Sequence, residues 1–73
     1  GPGAVIHGKV LGDEVVIGMR AVVGFDVIIG AGAVIAEGAV VKAKKIILPN
    51  ELAGGVPAQV LGNINASQRS LIN

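Results

Sequence analysis

The stretch VVIGMRAVVGFDVIIGAGAVI, residues 15–35, decides the fold of this chain, because an aliphatic residue recurs in it at every sixth position. Ile17, Val23, Ile29 and Ile35 mark the period. It runs outward in both directions to Val5 and Leu11 on one side and Val41 and Ile47 on the other, without a miss. A fixed period of this kind is the mark of a repeat architecture, in which each repeat is a unit that buries its apolar side against its neighbours. The residue after each of these aliphatics is small in five consecutive repeats, as Gly12, Gly18, Gly24, Gly30 and Ala36. A small residue there suits a chain that bends once per repeat, since Gly tolerates positive φ and close backbone approach.

Composition limits what else the chain can be. At 73 residues it holds one domain at most, and ordering costs roughly 1.5 kcal/mol per residue against a modest core, so a small chain needs some staple. There is no Cys, which excludes disulfides and thiolate zinc sites and removes any argument for an oxidising compartment. Oligomerisation is the staple that is left. A net charge of +1 gives no long-range field, and the only basic cluster is Lys42, Lys44 and Lys45. With one Phe and no Tyr or Trp, the aromatic platforms of single-strand binding are missing, so no nucleic acid partner is expected. Mean hydropathy is +0.75, yet the most apolar uncharged run, residues 27–36, is far short of the ~20 residues that span a bilayer. No membrane association is expected, and without a signal-peptide pattern a cytoplasmic location is the default.

The two ends read differently from the middle. Gly1-Pro2 is the dipeptide that a common tag-removing protease leaves behind, so no function is assigned to it. The hexads fail after Leu52, which gives a repeat region of residues 4–52 and an exit loop and tail of residues 53–73. Ala53-Gly54-Gly55-Val56-Pro57-Ala58 reads as a Gly/Pro loop. The tail then has the spacing of a capping-box variant, Asn65 with Gln68 three residues on, which predicts a short helix carrying Leu71 and Ile72.

Hexads of this form resemble those of the hexapeptide-repeat, left-handed parallel β-helix proteins, where three hexads make one triangular turn. The resemblance implies an all-β fold, a short β-helix of fewer than three coils. It also sorts the side chains. The head of each hexad points inward, as does the residue four places later, here Val15, Ala21, Val27, Ala33 and Ala39. The residue before each head points out and is aliphatic throughout, namely Val10, Val16, Val22, Ile28, Val34, Val40 and Ile46. Exposed apolar rows of this size mark interaction surfaces. Family members form parallel trimers through such faces, so a homotrimer is expected with these seven residues at the interface.

A sharper likeness is local. His7-Gly8-Lys9-Val10-Leu11-Gly12-Asp13-Glu14-Val15-Val16-Ile17-Gly18-Met19 resembles the "HGCTIGDNVLIGM" stretch of γ-class carbonic anhydrases and their relatives from carnitine and phenylacetate operons. Val41-Lys42-Ala43-Lys44, Pro49-Asn50 and Gly55-Val56-Pro57-Ala58-Gln59-Val60 resemble that family's "VKAK…P.N…GSPAKVI" ending, which is shared with coenzyme A acyltransferases of the same fold. The resemblance implies that His7 is the last of three metal-ligating imidazoles; Pro2 stands where the second would be, and the first would lie upstream. Zinc needs three or four ligands, so a zinc site here requires ligands from elsewhere and no cofactor is expected for the chain alone. Three roles stand for His7: an imidazole without chemistry at a surface or interface, part of a metal site completed by another chain, or the general base of an acyltransferase. The last would let Lys42, Lys44 and Lys45 meet coenzyme A phosphates. One 18-residue turn below His7 lies Phe25, which should stack on it, while Asp13, Glu14 and Asp26 are corner residues. The sequence thus predicts a trimeric interaction module, the C-terminal half of a γ-carbonic-anhydrase-like protein, catalytically silent by itself. A zinc hydratase completed elsewhere and a coenzyme A acyltransferase are the alternatives.

Overall fold

The computed structural model describes residues 1–10 and 12–65. Leu11 and the helical segment expected after Asn65 lie outside the described residues. The rest is built from strands and corners, and it is a short left-handed parallel β-helix. Nine short strands follow in chain order: β1 (Val5–Ile6), β2 (Lys9–Val10), β3 (Val16–Ile17), β4 (Val22–Val23), β5 (Ile28–Ile29), β6 (Val34–Ile35), β7 (Val40–Val41), β8 (Ile46–Ile47) and β9 (Glu51–Gly54). They stack into three parallel faces, β1-β4-β7, β2-β5-β8 and β3-β6-β9. Strands two residues long cannot bury an apolar surface alone. Each is held by the rungs above and below.

The inward ladder is where the hexad heads put it. Val23, Ile29, Ile35, Val41 and Ile47 are essentially inaccessible, and Ala21, Val27, Ala33 and Ala39 fill the corners between them. Aliphatics on the faces and alanines at two of the corners fit a triangular cross-section, which has least room where two faces meet.

Apart from Gly12, with a φ of 87°, what bends the chain is not the small residue after each head. Positive φ recurs three places after the head, at Glu14, Arg20, Asp26, Gly32, Gly38, Lys44 and Asn50, with angles of 59 to 74°. Gly18, Gly24 and Gly30 serve close approach instead. A Cβ at Gly18 would lie 2.5 Å from the Glu37 nitrogen, and one at Gly30 2.6 Å from the Pro49 nitrogen. Successive turns are joined at these corners by regular bonds: the N–H groups of Gly32, Gly38, Lys44 and Asn50 donate to the carbonyls of Asp13, Met19, Phe25 and Ala31 at 2.9 to 3.0 Å. Glu14 and Asp26 thus act at the corners through backbone conformation, as expected of corner residues.

The first turn slips from the six-residue frame. Val16, Val22, Ile28 and Val34 pair with the residue 18 places on, but Val5 pairs with Val22 and Lys9 with Ile28, which are offsets of 17 and 19. Ile6 and Val10 therefore stand in register with the core residues Val23 and Ile29. Val10, expected on the outer row, takes the inward register, and Val5, expected inside, takes the outward one. In β1 the aliphatic doublet allows it: slipping Val5-Ile6 by one residue exchanges one aliphatic for another, so the pattern specifies register weakly there. The extra residue is absorbed before β3, where Gly12 and Glu14 both have positive φ.

The lower end is closed beyond the expected boundary at Leu52. Ala53 occupies a ninth inward position, in register with Ile35 and fully buried. Residues 55–58 form a turn rather than a free loop: the Val40 N–H donates to the Gly55 carbonyl, and the Ala58 N–H donates back to Val40. Strand β10 (Gln59–Asn63) then returns antiparallel along β9 with a bulge between Val60 and Gly62. Ala58, 5% exposed, joins the core cluster from below. Lys45 and Glu51 succeed Val27 and Ala33 in the inward register, so the apolar ladder ends in charged residues. Inward charges and a covering strand are means of blunting a sheet end. Among the described residues the first turn has no such cover, and Ile6 and Val10 there are each 43% exposed.

Candidate functional site

The three faces meet at three edges, and one edge gathers most of the chemistry. It consists of the connections from β1 to β2, β4 to β5 and β7 to β8, which stack His7 and Gly8, then Gly24 to Val27, then Lys42 to Lys45. The His7 N–H donates to the Val23 carbonyl at 2.9 Å, and the Lys44 N–H to the Phe25 carbonyl at 2.9 Å, so the three levels are tied by backbone.

The His7 and Phe25 rings stack, as the 18-residue turn predicts, with centroids 4.5 Å apart and planes inclined at 26°. Both are exposed, Phe25 at 65%. Beside them His7, Gly8, Lys9, Asp26, Val27 and Ile28 line an open groove of about 310 Å³. Close approach shapes its floor: a Cβ at Gly8 would lie 2.5 Å from the Val27 carbonyl oxygen. Lys42 and Lys44 are exposed one turn below Phe25, and Lys45 is half-buried. A second groove, of about 500 Å³, lies on another edge between Pro2, Gly3, Met19, Arg20, Glu37 and Gly38. It offers ions but no imidazole.

No cluster of three or more His, Cys, Asp or Glu side chains able to hold a metal occurs among the described residues. No hydrogen bond to the His7 ring occurs among the described residues either, and its ring contact is Phe25.

The outer row expected as an interface divides into columns. Val22 and Val40 lie on one face and Ile28 and Ile46 on the next, and the edge that carries His7 runs between these two faces. Val22 is 37% exposed and Ile46 57%, while Ile28 and Val40 are half-buried. Val16 and Val34 lie on the third face with Leu52, where Val34 is flanked above and below and is only 7% exposed. Other apolar exposure comes from residues that the hexad frame ignores. Leu48 is 56% exposed, and the closing hairpin adds Val56 at 72% and Leu61 at 64%. Val60 and Leu61 belong to a strand that no repeat period announces.

The comparisons agree with this geometry. Residues 8–43 match the bacterial transferase hexapeptide family (six repeats). Among solved structures, the chain is similar to a proposed acetyltransferase from Bacillus cereus, at 31% identity and a TM-score of 0.76. That likeness covers 96% of the chain and 44% of the Bacillus cereus protein, so the chain spans less than half of the length of this relative. No curated protein gives a significant match. The hexapeptide-repeat character is thus supported both by sequence and by structure.

No helix among the described residues is long and apolar enough to cross a membrane.

Proposed function

We propose that this chain is a subunit of a hexapeptide-repeat acyltransferase, working as a parallel homotrimer, with His7 as the general base. The observation that carries this reading is the place of the only imidazole. It is exposed at the rim of a groove, on the edge between the two faces that keep Val22 and Ile46 uncovered. A neighbouring subunit packed on either face would wall that groove, and a walled groove strengthens every electrostatic interaction within it. The family match and the likeness to a proposed acetyltransferase support the reaction class.

The chemistry asked of the chain is limited. A hydroxyl or amine acceptor in the groove loses a proton to an unprotonated nitrogen of His7 as it forms its bond to the carbonyl carbon of a coenzyme A thioester. The carbon–sulfur bond then breaks, and the thiolate leaves with the proton that His7 had taken, so the base is regenerated. Positioned proton transfer of this kind contributes about 10²–10⁴-fold. Lys42 and Lys44, exposed on the same edge, suit the phosphates of the donor as point charges.

A second reading is favoured by one observation: the His7 ring has no hydrogen-bonding partner to orient it among the described residues. On that reading the chain is a trimeric interaction module without catalysis. A zinc hydratase remains the alternative in which ligands from outside these residues join His7, since one imidazole does not complete a zinc site.

Release of free thiol from acetyl-coenzyme A with a panel of amine and hydroxyl acceptors separates the two. The acyltransferase reading expects acceptor-dependent release that falls by at least about 10²-fold in His7→Gln. Release at the uncatalysed rate by a correctly folded wild-type trimer supports the silent module.

A further inference from the structure

We infer that Phe25 is the positioning residue for His7. The inference rests on the reading of His7 as a base, and it answers the objection just raised against that reading. Catalytic imidazoles are ordinarily oriented by a third group that hydrogen-bonds one ring nitrogen. Among the described residues no such group contacts His7, and its ring contact is the Phe25 face, with centroids at 4.5 Å.

The stack is built by the fold and does not depend on a rotamer alone. Phe25 sits immediately before the left-handed corner at Asp26, where φ is 60°. Its own carbonyl is held by the Lys44 N–H at 2.9 Å, and the His7 backbone is held to Val23. Both rings thus project from backbone fixed one level apart. A large aromatic left 65% exposed at a corner contributes little to the core, so its place here is explained by what it covers. Stacking fixes the plane of the imidazole and shields one of its faces. Both ring nitrogens lie in that plane, free of the hydrogen bond that would commit one of them to a structural partner. The ring can then receive a proton and return it without losing its orientation.

The account is tested with Phe25→Leu and Phe25→Tyr in the full chain, with His7→Gln as reference. The first readout is independent of activity. In the wild type the His7 ring protons should resonate upfield of an exposed histidine, Phe25→Leu should return them to the exposed position, and Phe25→Tyr should leave them shifted. The second is kinetic: Phe25→Leu should lower kcat by about 10- to 100-fold, the cost of misplacing a catalytic group, with KM for the thioester unchanged, and Phe25→Tyr should restore the rate. Wild-type kcat in Phe25→Leu, with His7→Gln inactive, overturns the positioning role and leaves the base intact. Activity that survives in His7→Gln overturns the base, and with it the positioning role, whatever the ring protons report. A fall in KM-dependent steps alone would mean that Phe25 contacts the donor, and that too contradicts the inference.

Discussion

Replacing Lys44 by Gly should stabilise this protein, although the change removes a side chain and adds backbone freedom. Lys44 has a φ of 67°, one of seven residues at the same hexad position that are held in the left-handed region. For a residue with a Cβ that conformation costs about 1–2 kcal/mol. Glycine relieves the cost but loses about 0.5–1 kcal/mol more entropy on folding. The net gain is then about 0.5–1 kcal/mol, since the Lys44 side chain is exposed and the backbone bond to Phe25 survives the change. In a domain of this size 1 kcal/mol moves Tm by about 4–8 °C, so a rise of about 2–8 °C is expected by differential scanning calorimetry at fixed protein concentration. The reverse change is the control. Gly38 has a φ of 67° and a Cβ there would meet nothing within 4 Å, so Gly38→Ala tests conformation without steric conflict and should lower Tm by a similar amount. A neutral Gly38→Ala together with a destabilising Lys44→Gly would refute the corner assignment.

Three further outcomes follow from the same frame. Ile29→Ala, in the middle of the ladder and fully buried, should cost about 2–5 kcal/mol in chemical denaturation, while Glu37→Ala at an exposed corner should cost under about 0.5 kcal/mol; similar losses would mean that the inward and outward rows are misassigned. Gly30→Ala has ordinary φ but places its Cβ 2.6 Å from the Pro49 nitrogen, so it should destabilise by at least about 1 kcal/mol and more than Gly38→Ala. In the first turn, Val10→Ala should cost less than Val23→Ala, because Val10 is 43% exposed and Val23 is fully buried.

Much of this architecture was legible because one physical constraint repeats. An inward aliphatic every six residues from Ile17 to Ile47 can be read without knowing any contact, and an 18-residue turn led to the expectation that Phe25 stacks on His7, although the first turn itself has offsets of 17 and 19. The first turn was illegible for an equally physical reason. Strand β1 is an aliphatic doublet, so the period cannot distinguish Val5 from Ile6, and the ladder of backbone bonds sets the register. The bend position was misread because Gly after each head suggested positive φ, while charged residues three places after the head, such as Glu14 and Lys44, gave no such signal. The hairpin that closes the lower end was hidden by Gly55 and Pro57, which read as an exit. Of the site, the sequence supplied His7 and the lysines as candidates, but that they share one edge is a property of three faces stacked in register.

The role given to His7 requires a neighbour to wall its groove, so the mass of the protein in solution tests the account most directly. Light scattering at micromolar concentration should give three times the 7.2 kDa of one chain. Ile46→Glu should reduce that mass to one chain or unfold the protein, since Ile46 is 57% exposed in a single chain and a carboxylate buried unpaired at a subunit contact costs several kcal/mol. A wild-type mass of a single folded chain, unchanged by Ile46→Glu, would contradict the account.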